Sequence, residues 1–323
     1  MAEKTLSPTV QDPVYSHELI ESKESPYNNI YMYRSGPYVN LTFGYNDKIF
    51  NESTCNTADI TDLPYPYTRF MTASLLYPSE VKSILEIGSG VGTTARYLHN
   101  YFPNVQITTV ELDPMVVEMA RKYCSLQDAR NLRVAARDGR MFLADSQERY
   151  DLILLDAYRG PFVPFHLVTK EFYQLAKQHL TESGVLAINI EPETMLFDSA
   201  VNTVREVFTN VEFYDASGTD KGGNVVLVAY SGAARSFPDL AETAQKRKQD
   251  YKLRYDLSQM LEQRYLLKEV WEGNKRTLDV ANQNGTSTAG IDENAKVLTD
   301  DFAPVDSLRA VKRHNEKWSG AQQ

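Results

Sequence analysis

With 323 residues, 42% of them hydrophobic, the chain can bury a complete core as one large domain with additions. A formal charge of −9 without a basic stripe argues against a nucleic-acid surface, and no run approaches the roughly 18 apolar residues of a membrane span. The N-terminus lacks an apolar signal core, and the two cysteines, Cys55 and Cys124, stand in unrelated contexts without metal spacing, so a reducing cytoplasm and no metal are expected.

Residues 1–13 read as a flexible lead-in. Residues 14–64 turn β-like, with strands expected within 17–25, 29–36, 38–44 and 47–53 and breaks at Gly36-Pro37 and Asn46-Asp47. This is a small β-domain, and its tyrosines are first of all sheet packing. Tyr65-Pro66-Tyr67 opens a helix over 68–76 and begins a larger unit over 65–232.

That unit is organised around residues 81–113. A short apolar run over 83–87 has the composition of a buried parallel strand and ends in Gly88-Ser89-Gly90-Val91-Gly92. A helix over 93–101 and a strand over 105–110 follow, finishing in Glu111-Leu112-Asp113. Strand, glycine turn, helix, strand and acid form the nucleotide half of a doubly wound α/β fold. The glycines let backbone approach a ligand closely, and Glu111 can accept both ribose hydroxyls. Position 93 is Thr where a dinucleotide fingerprint wants a third glycine, and Glu86 would repel a phosphate. Glu86 suits a cationic ligand such as the sulfonium of S-adenosylmethionine (SAM), which is favoured over NAD, FAD or a fold that binds nothing.

The alternation continues with a helix over 115–124 started by Pro114, a strand over 132–136 ending in Arg137-Asp138-Gly139, and a helix over 140–145. A strand over 151–155 ends in Asp156; then come a helix over 167–180, a strand over 184–190 and a helix over 198–208. Strands over 211–214 and 224–230 close the sheet as an antiparallel pair around a 217–223 turn. In the remainder, 233–323, a charged amphipathic helical region reaches about residue 271. A loose loop over 272–296 and an anchored tail over 297–308 complete it.

Four acids fall at strand ends, where parallel sheets bind ligands: Glu86, Glu111, Asp138 and Asp156. Glu111 would hold the ribose. Asp138, before Gly139, would accept the adenine amino hydrogens or cap the next helix. Glu86 lies near the sulfonium or supports the groups that do. Asp156 is the candidate beside the reacting carbon. It heads an aromatic, proline-stiffened segment over 156–166 that reads as a lid excluding water. Within it His166 is a base or a structural residue, and Arg159 a solvated charge or a carboxylate anchor.

These residues together resemble the spermidine synthase (polyamine aminopropyltransferase) family, a branch of the class I SAM-methyltransferase fold, over roughly 14–232. The resemblance is carried by Glu24-Ser25-Pro26-Tyr27-Asn28, Tyr67-Thr68-Arg69, the ILEIGSGVG turn, the VELDP acid and Arg137-Asp138-Gly139-Arg140. The YDLILLDAY strand, the GPF and EFY lid segments and the LTDDFAPVD tail add to it. It implies a doubly wound, Rossmann-like α/β sheet with a small N-terminal β-domain and a C-terminal helical extension. The donor it implies is SAM or decarboxylated SAM, and the acceptor a small-molecule amine. Asp156 and Tyr158 would be catalytic and Asn28, Tyr67, Arg159 and His166 substrate-binding, with Glu86, Gly88, Gly90, Gly92, Glu111, Asp138 and Gly139 around the donor. A homodimer, to which the C-terminal helix can contribute, is also implied. Two departures stand out: Val91 and Arg159 occupy positions where the family has aspartates. They leave open methyl transfer from intact SAM, and more remotely a nucleoside-binding protein without catalysis.

Overall fold

The computed structural model describes residues 18–44, 51–160, 163–192, 194, 196–216, 224–272, 275–282 and 287–302. The lead-in, the 217–223 turn, Pro161 and Phe162 of the lid, and the tail beyond Phe302 lie outside the described residues.

Among the described residues an antiparallel sheet of four strands comes first: β1 (Glu18–Glu24), β2 (Asn29–Ser35), β3 (Tyr38–Phe43) and β4 (Ser53–Asn56), in that order. Of the segment expected to form the fourth strand, residues 47–50 lie outside the described residues, and the described strand runs Ser53–Asn56. Val39 faces Cys55 and Asn40 faces Thr54 in its register, and both Cys55 and Thr54 are buried, on opposite faces of the strand.

After α1 (Pro66–Met71) and a 3₁₀ turn, Thr72–Leu76, the parallel unit begins. It runs β5 (Ser83–Ile87), α2 (Thr93–Tyr101), β6 (Gln106–Glu111), α3 (Pro114–Cys124), β7 (Leu132–Ala136), α4 (Gly139–Asp145) and β8 (Tyr150–Leu155). Then follow α5 (Lys170–Gln178), β9 (Leu180–Ile190), α6 (Phe197–Arg205), β10 (Asn210–Asp215) and β11 (Val225–Tyr230). Local chemistry sets these bounds. Pro114 opens α3, and Asp113 caps it by accepting Met115 N–H at 2.9 Å. Every residue of β8 is buried, as a strand covered on both faces must be. Alternate residues feed two core layers: Ile84 packs with Ala95, Val116 and Leu240 on one face, and Leu85 with Phe142, Phe172 and Val204 on the other.

Among the described residues the main sheet has ten strands, in the order β14 (Ser287–Ile291), β13 (Lys275–Asn282), β12 (Arg264–Glu272), β10, β11, β9, β8, β5, β6 and β7. Strands β7, β6, β5, β8 and β9 are parallel, and the chain reverses its direction of winding between β5 and β8. The crevice beyond that switch point is where such sheets hold ligands. Both the glycine turn after β5 and Asp156 after β8 open onto it.

The C-terminal region departs from the helix and loop expected of it. Helices α7 (Phe237–Tyr251) and α8 (Leu257–Leu261) are followed by β12 (Arg264–Glu272), β13 (Lys275–Asn282) and β14 (Ser287–Ile291). These antiparallel strands extend the sheet beyond β10, with Leu267 opposite Val280 and Leu278 opposite Ile291. The segment is rich in Asn, Gly and Thr, and its alternating stretches are short, so turn residues mask the strand signal. A buried ion pair fixes the junction: Arg264 donates to both Glu212 oxygens at 2.6 and 2.7 Å, and Tyr77 and Tyr230 hydroxyls donate to the same carboxylate at 2.5 and 2.6 Å.

The cysteines are a second correction. Cys55 of β4 and Cys124 at the end of α3 form a disulfide, with Cα atoms 5.9 Å apart across a sequence separation of 69. Their contexts are unrelated in sequence and adjacent in space, because the small sheet docks on the α3 side of the glycine turn. Among the described residues no helix is long and apolar enough to cross a membrane, and no group of His, Cys, Asp and Glu is arranged to hold a metal ion.

Candidate active site

The glycine turn is shaped by close approaches. Gly88 has φ +94°, and a Cβ there would lie 2.3 Å from the Asp156 carbonyl oxygen, so the ends of β5 and β8 meet backbone to backbone. Gly90 has φ +51°, and a Cβ there would lie 2.7 Å from Ser53 Oγ. Strand β4 walls the turn: Val91 N–H donates to Ser53 Oγ at 3.2 Å, and the Thr93 hydroxyl donates to the Thr54 carbonyl at 2.7 Å.

Glu111 closes the other side. Its carboxylate accepts Gly90 N–H at 2.9 Å and Asp113 N–H at 3.2 Å, and burial pushes its pKa up. Ser25 donates to Asp113, and Asn28 N–H donates to Ser25 Oγ at 3.0 Å. Through Ser25, Asn28 is therefore tied to Asp113 at the β6 end of the crevice.

Asp138 engages both oxygens: it caps α4 by accepting Met141 N–H at 2.9 Å, and its Oδ2 meets His166 Nε2 at 2.8 Å. His166 is thus held at the α4 end of the crevice by Asp138. Gly139 lets α4 start against β5, since a Cβ there would lie 2.3 Å from Ile87 Cγ2. Glu86 is 2% exposed, accepts the Thr109 hydroxyl at 2.5 Å and is pushed up to about 8, mainly by burial, then by Asp156 and Glu111. It supports the crevice from beneath.

Asp156 lies at the switch point. Its Oδ1 accepts Asn189 Nδ2 at 2.8 Å, and the Tyr67 hydroxyl donates to the same carboxylate. Burial raises its pKa to about 7, against those two bonds, which lower it. Asn189 is itself fixed: its Oδ1 accepts Asn224 Nδ2 at 2.8 Å, and its carbonyl accepts the Tyr158 hydroxyl at 2.9 Å. Tyr158 therefore spends its hydroxyl on the backbone of β9 rather than on Asp156. Tyr67 reaches in from α1 and stacks on Tyr65, with centroids 5.9 Å apart. Arg159 is exposed.

Two residues of the site were not singled out from the sequence. Asn189 is a buried polar residue near the end of the apolar run of β9, an anomaly that could have exposed it. Glu52, just before β4, accepts Gly160 N–H at 2.9 Å on its Oε1; burial pushes its pKa up to about 8, with Glu111 adding to the rise. Nothing local in the sequence marks it.

Four carboxyl groups thus surround one crevice with raised pKa values, some by mutual repulsion, an arrangement that a cation would relieve. One of them, Asp156, titrates near neutrality in a tyrosine-lined pocket, where a general base is most effective.

Residues 66–217 match the Spermine/spermidine synthase domain family. The polyamine aminopropyltransferase of Vibrio vulnificus is 30% identical over 298 residues, spanning 90% of this chain and 91% of that protein. Among solved structures, the spermidine synthase of Thermotoga maritima superposes with a TM-score of 0.60 at 22% identity, over 75% of this chain and 82% of that one. Human methyltransferase-like protein 13 in complex with SAH gives 0.52 at 24% identity, over 58% and 92%. The two structures share the fold. By its sequence relatives, the chain belongs to the spermine/spermidine synthase, or polyamine aminopropyltransferase, family.

Proposed function

We propose that the protein transfers an aminopropyl group from decarboxylated SAM to an amine, with Asp156 as general base. In this reading the adenosine lies across the ends of β5, β6 and β7. Glu111 accepts its ribose hydroxyls and the Asp138–Gly139 start of α4 receives its adenine. The glycine turn and the four raised carboxyls suit a sulfonium cation, which lowers the cost of ionising them together.

The acceptor nitrogen attacks the carbon bonded to the sulfonium. The carbon–sulfur bond breaks, its electron pair returns to sulfur, and methylthioadenosine leaves as a neutral thioether. The acceptor must attack as the free amine, and an alkylammonium at neutral pH lies about three units below its pKa, a cost of about 4 kcal/mol. Asp156, with its pKa near 7, takes that proton, while Tyr67 and Asn189 hold the carboxylate in place. Burial by Tyr67 and Tyr158 keeps water from competing, and holding the partners together offsets much of the remaining barrier.

The observation that carries this reading is Asp156: a carboxylate at the switch point, its pKa raised to about 7, against the glycine turn. Asp156→Asn tests it. Donor affinity, measured by calorimetry, should stay within about threefold while turnover falls by at least about a hundredfold. A variant that keeps wild-type turnover removes Asp156 from its role.

A further inference from the structure

The glycine turn offers no anion to a ligand's tail: Val91, at its centre, is fully buried in the core. The tail of decarboxylated SAM ends in an ammonium group, whereas that of intact SAM carries an ammonium and a carboxylate. A site that selects the former therefore needs a negative group near the turn, supplied from elsewhere.

Glu52 approaches that position from the small sheet. The next residue, Ser53, accepts Val91 N–H at 3.2 Å and lies against Gly90. The Glu52 carboxyl reaches across to Gly160, four residues beyond Asp156, and accepts its N–H on Oε1 at 2.9 Å. On the third side Glu111 lies close enough for its charge to add to the rise in the Glu52 pKa. Oε2 takes no hydrogen bond among the described residues. One carboxyl is thus bounded by the glycine turn, the expected ribose acid and the segment that follows the base, and only its Oε1 is engaged among the described residues.

We propose that Glu52 determines donor specificity: its Oε2 pairs with the terminal ammonium of the donor and repels a donor that carries a carboxylate at the same place. The inference rests on the aminopropyl-transfer reading above and names the residue that would select its donor. Burial and the neighbouring Glu111 push Glu52 up to about 8, so without a cation it is largely protonated at neutral pH. Docking of an ammonium shifts it to the ionised form, and the attraction appears only for a positively charged tail. A glutamine could bond Gly160 N–H equally well but could not supply this response. The same bond ties the small sheet to the segment after Asp156, so the charge-reading residue also anchors one wall of the site.

Glu52→Gln separates the two roles, because it keeps an acceptor for Gly160 and removes the charge. The test is calorimetric titration of the full chain with decarboxylated SAM, intact SAM and methylthioadenosine, which lacks the charged tail. Glu52→Gln should weaken decarboxylated SAM by about tenfold or more, the effect of losing a charge-assisted bond. Methylthioadenosine should stay within about twofold, and the preference over intact SAM should shrink correspondingly. Two results would overturn the proposal while leaving the reaction untouched: unchanged affinity for decarboxylated SAM, or an equal loss for methylthioadenosine, which would make Glu52 a wall anchor only. A wild-type protein that binds intact SAM in preference to decarboxylated SAM would overturn this proposal and the aminopropyl-transfer reading together.

Discussion

Breaking the disulfide between Cys55 and Cys124 perturbs both the stability of the protein and the wall of its site. The bridge closes a loop of 69 residues. In the chain-entropy description a loop of that length removes about 15 cal/mol/K from the unfolded chain, or about 4 kcal/mol at room temperature. Unfolding entropy is about 2.1 cal/mol/K per residue, so 323 residues give about 0.7 kcal/mol/K and a loss of about 6 °C in melting temperature. The consequence is not only global. Cys55 lies two residues after Ser53, which wall-bonds the glycine turn, and Cys124 ends the helix that starts just beyond Glu111. Loosening β4 from α3 should therefore also weaken donor binding. The assay is differential scanning calorimetry of the oxidised protein, the reduced protein and the Cys55→Ser, Cys124→Ser double variant, with a thiol count under denaturing conditions. Oxidised protein should show no free thiol, and the other two should melt together at the lower temperature. Two free thiols in unreduced protein, or a double variant that melts with the oxidised wild type, would refute the reasoning.

Other predictions follow from the same geometry. Glu111→Ala should reduce affinity for a SAM-type nucleoside by about tenfold or more, read by titration, because a hydrogen-bonding carboxylate is lost from the expected ribose site. Gly88→Ala places a Cβ 2.3 Å from the Asp156 carbonyl at φ +94°, so it should cost both donor affinity and turnover in steady-state kinetics. Activity should fall as pH drops through about 7, where Asp156 takes up its proton, and a kcat/KM profile flat down to pH 5 would contradict its role as base. The stability effect has the opposite sense. The folded pKa of Asp156 is raised above its unfolded value, so its protonated form stabilises the fold at low pH, and this contribution is lost as pH rises from about 4 through about 7. Asp156→Asn should therefore stabilise the protein at pH 8 relative to wild type and change little at pH 4. Arg264→Met leaves the Glu212 carboxylate buried with only tyrosine partners and should cost about 3–5 kcal/mol in denaturant unfolding, while Glu212→Gln with Arg264→Met should recover part of that loss.

The parallel unit was legible because its signals are local. The apolar run of β5, the glycines after it, Pro114 and the acid ending β6 each state a backbone requirement within a few residues, and β5 and α2 fall on the bounds read for them. Glu111 and Asp156 could be brought to one edge because parallel topology carries every strand end to the same side of the sheet. What escaped is held by contacts far apart in the chain. The disulfide joins residues whose surroundings share nothing in sequence, and Glu52 matters only because Gly160 folds onto it. Tyr158 is in the expected place, yet which atom its hydroxyl meets depends on β9. Strands β12–β14 were obscured for another reason: polar, turn-rich edge strands gain their stability from pairing with β10 and from the Glu212–Arg264 pair, and neither is visible along the chain.

The central claim concerns which bond to sulfur is broken beside Asp156. Incubating the protein with a mixture of decarboxylated and intact SAM and an excess of a diamine, followed by mass spectrometry of the nucleoside products, tests it most directly. The account predicts methylthioadenosine with matching aminopropylated amine, both absent with Asp156→Asn. Accumulation of S-adenosylhomocysteine and a methylated product in its place would contradict it.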